Sequence, residues 1–432
     1  MNPIKQKTKN SLYLVPALAL ACLPATQACH MEPESNDALE EVLDMTEVLV
    51  GPTAPLGSAT PTTFRPRGVI DLAICLDTSG SMDGLIESAK QKLWAVVNDF
   101  ALVDPVPVLR VALLTFGNDG HSEENGWVRV DAPLTGDLDL ISQRLFALTT
   151  NGGTELVGRV VNTATSELEW SNDPKALKLL IVAGNESADQ DAQFGFRDAS
   201  RRAIAQGIMV NAIYCGDPLD EFAPDWREVS KLADGQFASI DANNGTVVIS
   251  TPFDAELQAL TAKVNLTYIP MGASGREGWA NQRTQDANNA ALSEAAGASR
   301  AMTKNGQLYV CGWDLVDACR IGTLKLEDVK PEDLPNELQA LSSLELTAFV
   351  ESKAAERMKI QAHISAVGVK RDAWLMTERE RLQVDDSKAF DRVLRDSIRN
   401  QAASRGFLYK GADAPATQPA QGSQSLAPGC QE

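Results

Sequence analysis

Residues 71–82 read Asp71-Leu72-Ala73-Ile74-Cys75-Leu76-Asp77-Thr78-Ser79-Gly80-Ser81-Met82, and this stretch decides the fold. From Val69 to Leu76 the chain is apolar apart from Asp71, which is too short for a globular helix and suits a strand buried on both faces of a parallel sheet. Asp77, Ser79 and Ser81 then alternate at a spacing of two on a tight turn. One carboxylate and two hydroxyls at that spacing can point into one pocket. Hard oxygen ligands of this kind suit Mg²⁺, which takes a near-octahedral oxygen shell and keeps some of its waters. The plainer reading of the same residues is a strand-to-helix turn in which Asp77 or Ser81 caps the helix that follows.

Outward from this turn, strands and helices alternate. A helical pattern in Leu85, Ala89, Leu93, Val96 and Val97 leads to a second strand, Arg110 to Phe116, and an edge segment, Trp127 to Val130. Helices are expected over about 137–148 and 156–168, separated by a Gly-rich loop. The alternation then repeats: strand 177–183, helix 197–205, strand 208–214, helix 226–233 and a short strand 237–240. Such alternation predicts an α/β, Rossmann-like fold with a mostly parallel central sheet covered by helices. In such folds ligands bind at the carboxyl ends of the strands, where Asp77 falls.

The segment DLAICLDTSGSM resembles the metal-ion-dependent adhesion site motif, Asp-x-Ser-x-Ser, of von Willebrand factor type A domains. The length and order of elements over about 68–250 agree with that fold. The family's second metal segment, a Thr in a Gly-rich loop, is similar to Asn151-Gly152-Gly153-Thr154-Glu155. The resemblance implies that Ser79, Ser81 and Thr154 coordinate Mg²⁺ (or Mn²⁺) through hydroxyls, with Asp77 close by or acting through water. It also implies an open coordination position for a partner's Asp or Glu. The third segment departs from the family: where Thr-Asp-Gly is usual, this chain has Val182-Ala183-Gly184-Asn185-Glu186, so the usual Asp falls on Gly184. Asn185, Glu186 or an additional water would complete the shell. Further segments resemble a bacterial exported subgroup of type A proteins over residues 68 to 410, among them Gly126-Trp127-Val128-Arg129, Thr251-Pro252-Phe253-Asp254, Trp313 to Ala318 and Phe407-Leu408-Tyr409.

The ends of the chain read differently. Residues 1–28 have the layout of a signal peptide: Lys5, Lys7 and Lys9, an apolar run from Ser11 to Ala25, and small residues Ala25 and Ala28 near the cut. Cys22 and Cys29 are lipidation candidates, although neither sits in a full Leu-Ala-Gly/Ala-Cys box. Residues 29–66 form an acidic and then Pro/Thr-rich stalk, with seven acidic residues between Glu32 and Glu47; such composition cannot bury enough apolar surface to offset its ordering entropy. Residues 67–265 are the expected type A domain, 266–410 a mainly helical region and 411–432 a disordered tail. In the helical region, Leu346, Val350, Ala354, Met358 and Ala362 recur at a spacing of 4 and predict the buried face of one long helix.

Among 432 residues, 39 Lys and Arg face 58 Asp and Glu, for a formal net charge of −19. That balance argues against nucleic acid, whose affinity rests on cationic neutralisation of phosphates. His30, His121 and His363 are scattered, without metal-ligand spacing, and no Cys-x-x-Cys pair, phosphate loop or nucleophile elbow is present. Conventional enzyme chemistry is therefore not expected. Cys75 and Cys215 read as small buried hydrophobes, and Cys311 with Cys319 as a disulfide candidate in an exported protein. The expectation is a cell-envelope module that captures a protein ligand presenting Asp or Glu, touching membrane only through a lipid anchor. A scaffold whose helical region does the recognising, or a hydrolytic or chelatase-accessory role, are the alternatives.

Overall fold

The computed structural model describes residues 67–240, 248–383 and 390–409. The predicted signal peptide, stalk and tail, with Cys22, Cys29 and Cys430, lie outside the described residues. The described residues belong to one unit, Phe64–Glu432.

The first part of the chain runs β1 (Val69–Asp77), α1 (Asp83–Phe100), β2 (Val103–Asp104), β3 (Val108–Phe116), β4 (Val128–Thr135), α2 (Leu138–Phe146), α3 (Val157–Glu167), β5 (Leu177–Gly184), α4 (Phe196–Ala205), β6 (Ile208–Tyr214), α5 (Ala223–Lys231) and β7 (Phe237–Ser239). Six of these strands form one sheet in the order β4-β3-β1-β5-β6-β7. All neighbours are parallel except β3 and β4. β1 is central: Ile70 pairs with Leu109 on one side and Leu177 on the other.

The near-continuous apolar run of β1 is explained by burial on both faces. Leu72, Ile74 and Leu76 pack into a core under α1 and α2, with Leu85, Trp94 and Phe100. Ala73 and Cys75 point the other way, into a second core with Val160, Phe196 and Trp226 from α3, α4 and α5. The small residues on that face let the helices approach the sheet closely. The edge strand begins at Val128, because Gly126 and Trp127 both take left-handed backbone (φ 64° and 53°) that turns the chain into the strand.

The remaining elements are α6 (Asp254–Asn265), α7 (Gly272–Leu292), α8 (Glu294–Thr303), α9 (Leu315–Ile321), α10 (Ser343–Leu382), α11 (Phe390–Ser404) and β8 (Leu408–Tyr409). They lie on the α1/α2 side of the sheet, and polar groups make much of the contact. Asn289 accepts from the Trp94 indole N–H at 2.7 Å, and the Ser142 hydroxyl donates to Gln285 at 3.0 Å. Arg300 and Lys304, both fully buried, meet Asp286 at 3.0 and 2.5 Å, and Arg300 also pairs with Asp139 of α2. Buried ions of this sort are tolerated because each is paired. α11 itself returns to the sheet domain, where Gln401 and Asn211 exchange amide hydrogen bonds at 2.9 Å, and β8 after it pairs antiparallel with β2.

Two expectations fail here. The spacing-4 stripe on α10 does not stay buried: Leu346 and Val350 are 7% exposed, but Met358 is 64% exposed. Each step of four residues advances about 40° around a helix of 3.6 residues per turn, so a strict spacing of four winds off the contact face. The buried positions shift to Arg357, Ile364, Val367, Gly368 and Arg371. Cys311 and Cys319 are not bonded to each other; both are free thiols. Cys311 faces the sheet-side core beside Gln282 of α7, while Cys319 packs in a separate cluster with Leu315 and Leu346.

Candidate functional site

Three turns meet at the carboxyl ends of β1 and β5, beside the crossover point of the sheet. After β1, Thr78 donates its backbone N–H to Phe116 O at 2.8 Å, which ties the turn to the end of β3. The Ser79 N–H reaches back to Asp77 Oδ1 at 2.7 Å. The second turn is laced onto the first by two backbone bonds, Asn151 N–H to Thr78 O and Gly80 N–H to Gly152 O, each 3.0 Å. Gly152 is required there: its φ is +85°, and a Cβ would stand 2.3 Å from the Asp119 carboxylate. This lacing carries Thr154 to a bridge with Gly117 at the end of β3.

Each sequence-predicted residue can now be placed. Asp77 and Ser79 are buried and Ser81 is exposed, with the two hydroxyls 3.3 Å apart. Thr154 is half-buried at the rim. On the third turn Asn185 donates its amide to Ser81 Oγ at 3.1 Å, so the spacing-two hydroxyls and the Asn185 side chain are brought together. Glu186 is half-buried, and its carbonyl accepts the Trp226 indole N–H at 2.7 Å. Gly184 lies directly against Asp77: a Cβ there would meet the Trp226 ring at 3.1 Å and Asp77 Oδ2 at 3.2 Å.

One residue of the site was not singled out from sequence. Glu155, next to Thr154, is 3% exposed and turns its carboxyl toward Asp77, within hydrogen-bonding reach. Burial is the main cause that raises both acids above their ordinary ranges. Glu155 is pushed up to about 9, by burial first and then by Asp77 and Glu186. Asp77 is also raised, by burial first, while contacts with Glu155 and Ser79 oppose the cost of burying its charge. The adjacency Thr154-Glu155 was the available signal, but a Glu after a Gly-rich loop reads as a solvated helix start.

Asp77 Oδ2 and Glu155 Oε2 are buried without a hydrogen-bond donor. A buried carboxyl oxygen without a partner is costly, and a proton shared between the two acids or a bound cation satisfies it. Together with the Ser79 and Ser81 hydroxyls, this donor set suits a hard divalent cation. Among the described residues no cluster of three or more His, Cys, Asp or Glu side chains is arranged to hold a metal, so hydroxyls would have to supply much of the shell. His121 bonds the buried Thr115 hydroxyl at 2.9 Å and His363 meets Glu256 at 3.0 Å, both away from the Asp77 turn. A cavity of about 560 Å³ is lined by residues that include His121, Arg129, Arg159 and Phe194 and by none of the predicted ligands.

Residues 71–261 match the family model for the von Willebrand factor type A domain. The chain carries a von Willebrand factor type A domain. Such domains often mediate protein–protein or adhesive contacts, some of them through a metal-ion-dependent adhesion site, and they are generally not enzymes. Solved structures similar to this type A chain include an aerotolerance-related membrane protein from Bacteroides fragilis, at 17% identity over 40% of this chain and 94% of that one, with a TM-score of 0.30. A type A protein from Catenulispora acidiphila is 18% identical over 40% of this chain and 39% of its own, TM-score 0.31. Proximal thread matrix protein 1 of the mussel byssus, solved with zinc in its adhesion-site motif, is 16% identical over 40% of this chain and 42% of its own, TM-score 0.30. The present chain thus spans under half the length of the last two. No curated protein sequence matches it. Among the described residues no helix is long and apolar enough to cross a membrane.

Proposed function

We propose that the type A domain is a protein-binding module of the cell envelope that holds Mg²⁺ or Mn²⁺ at Asp77, Ser79, Ser81 and Thr154, with Asn185 and Glu186 at the margin. The ion's open position takes an Asp or Glu of a protein partner. The observation that carries this reading is the buried, donorless Oδ2 of Asp77 beneath two hydroxyls 3.3 Å apart. When bound, the ion supplies a positive centre that a partner carboxylate can complete. The chain's own residues fix the three turns around it, and Trp226 clamps the third turn by its bond to the Glu186 carbonyl. The role is binding rather than catalysis. The export signal in residues 1–28, with Cys22 or Cys29 as lipid attachment point, would place the module at the envelope.

Calorimetric titration of the protein with Mg²⁺ and Mn²⁺, beside Asp77→Ala, tests the reading. Binding by the native chain and none by the variant is expected; absence of binding by the native chain refutes it. Capture of an envelope partner should also be abolished by chelator.

A second reading rests on α10. Leu344, Met358, Val369 and Met376 are 81%, 64%, 69% and 67% exposed, and at about 100° per residue they fall on one side of the helix. If that helix is the recognition surface and the metal site is vestigial, Met358→Lys with Val369→Lys abolishes partner capture while Asp77→Ala does not.

A further inference from the structure

The acid missing from the third turn has a counterpart elsewhere in the same pocket. Gly117 and Gly184 stand on either side of Asp77. A Cβ at Gly117 would lie 2.8 Å from Asp77 Oδ1 and 3.0 Å from Glu155 Cγ, and one at Gly184 would lie 3.2 Å from Asp77 Oδ2. The two glycines thus form a cradle whose space is filled by the paired carboxyl groups of Asp77 and Glu155. Gly117 takes φ +79°, a conformation that side chains rarely adopt, so this half of the cradle is fixed by the backbone as well as by space. Both acids are nearly fully buried, and each leaves one oxygen without a donor. The strongest charged influences on the pair are each other and Glu186, which are all acidic.

Two buried carboxyl groups facing each other, with Glu186 within electrostatic range and the Ser79 hydroxyl beside them, are neutralised either by a proton or by a bound cation. A Cβ at position 184 would press on Asp77 and Trp226, at 3.2 and 3.1 Å, so the pocket has little room for a side chain there. We infer that Glu155 supplies the second carboxylate of the metal site, directly or through a bound water, in place of the acid absent at Gly184. This inference rests on the metal-binding reading above and specifies how the site reaches its charge: the acid has moved from the end of β5 to the loop that precedes α3. The ligand remains a hard divalent cation, and Glu155 is a positioning and charge-supplying residue rather than a contact for the partner.

The test uses the full chain titrated with Mg²⁺ and Mn²⁺, followed by calorimetry and by the Mn²⁺ paramagnetic resonance signal. Glu155→Gln keeps the shape of the side chain and removes the charge, so affinity should fall at least tenfold, while Asp77→Asn abolishes binding and Glu155→Asp retains part of it. Native affinity in Glu155→Gln, with Asp77→Asn inactive, overturns the role of Glu155 and leaves the metal site standing. No binding by the native chain refutes the metal site as a whole. Should Glu155→Gln fail to fold, native crystals soaked in Mn²⁺ decide the matter. Anomalous density with Glu155 in the ion's shell or one water away supports the inference, and a Mn²⁺ shell that leaves Glu155 out, waters included, overturns it.

Discussion

Glu155→Gln should make the metal-free protein more stable at mildly alkaline pH, and its advantage over the native chain should grow as pH rises. In the folded chain the Glu155 carboxyl is pushed up to about 9 from an ordinary 4.5, by burial and by the neighbouring Asp77 and Glu186. The groups facing it are Asp77, Ser79 and Glu186, with Cys215 close by. Because the folded value is the higher one, the folded state keeps a proton that the unfolded state releases. Its contribution is therefore complete below about pH 4.5 and is lost progressively as pH rises toward 9. One unit corresponds to about 1.4 kcal/mol, so between pH 5 and pH 8 the native chain should lose about 4 kcal/mol that Glu155→Gln does not lose. Urea denaturation of both proteins in chelator at pH 5, 6.5 and 8 reads this difference directly. Parallel stability profiles for the two proteins would refute the reasoning, because they would mean that Glu155 titrates normally and is not held against Asp77.

Other consequences follow from particular contacts. Gly152→Ala should cost about 1–2 kcal/mol from left-handed backbone alone, with a further penalty from the 2.3 Å approach to Asp119, and should weaken Mn²⁺ binding because the loop bearing Thr154 shifts; thermal melting and metal titration report both. Trp226→Ala removes a fully buried ring and the clamp on the Glu186 carbonyl, and a loss of about 3–5 kcal/mol is expected by denaturant titration. Arg300→Met leaves Asp139 without its cation in the interior, while Asp286 keeps Lys304, so a loss of about 3–5 kcal/mol is expected, with faster proteolysis within 266–382. Saturating Mg²⁺ at about a hundred times the dissociation constant should add about 2.7 kcal/mol to the native chain and nothing to Asp77→Ala, as a chelator-reversible rise in Tm.

The sheet domain was legible because its signals are local. β1 declared itself by an apolar run of strand length, and the Asp77-Ser79-Ser81 spacing marked the turn that follows. The helical region was harder for a definable reason. α7 turns Gln282, Gln285 and Asn289 inward, where Tyr309, Ser142 and Trp94 receive them, so its buried face carries little apolar periodicity to read. α10 likewise buries Arg357 and Arg371 against Asp314 and Asp254. Pattern reading equates polar with exposed, and here paired ions and amides line the interior. Glu155 escaped for the same reason: nothing in the sequence distinguishes an acid at a solvated helix start from one folded under a loop. The two-residue strands β2 and β8 were too short to register, since their partners lie some three hundred residues apart.

That last pairing has a mechanical consequence. Gly68 sits against the Phe407 ring, and Val103 and Asp104 pair with Tyr409 and Leu408, so the first and last described residues lie side by side. Tension applied between residue 67 and residue 409 meets the two-residue β2–β8 clasp at one end, where few hydrogen bonds resist it. Tension applied instead between residue 67 and the face bearing Asp77 runs along the whole of β1. It then pulls in shear against the ladders to β3 and β5, the geometry in which many hydrogen bonds must break together.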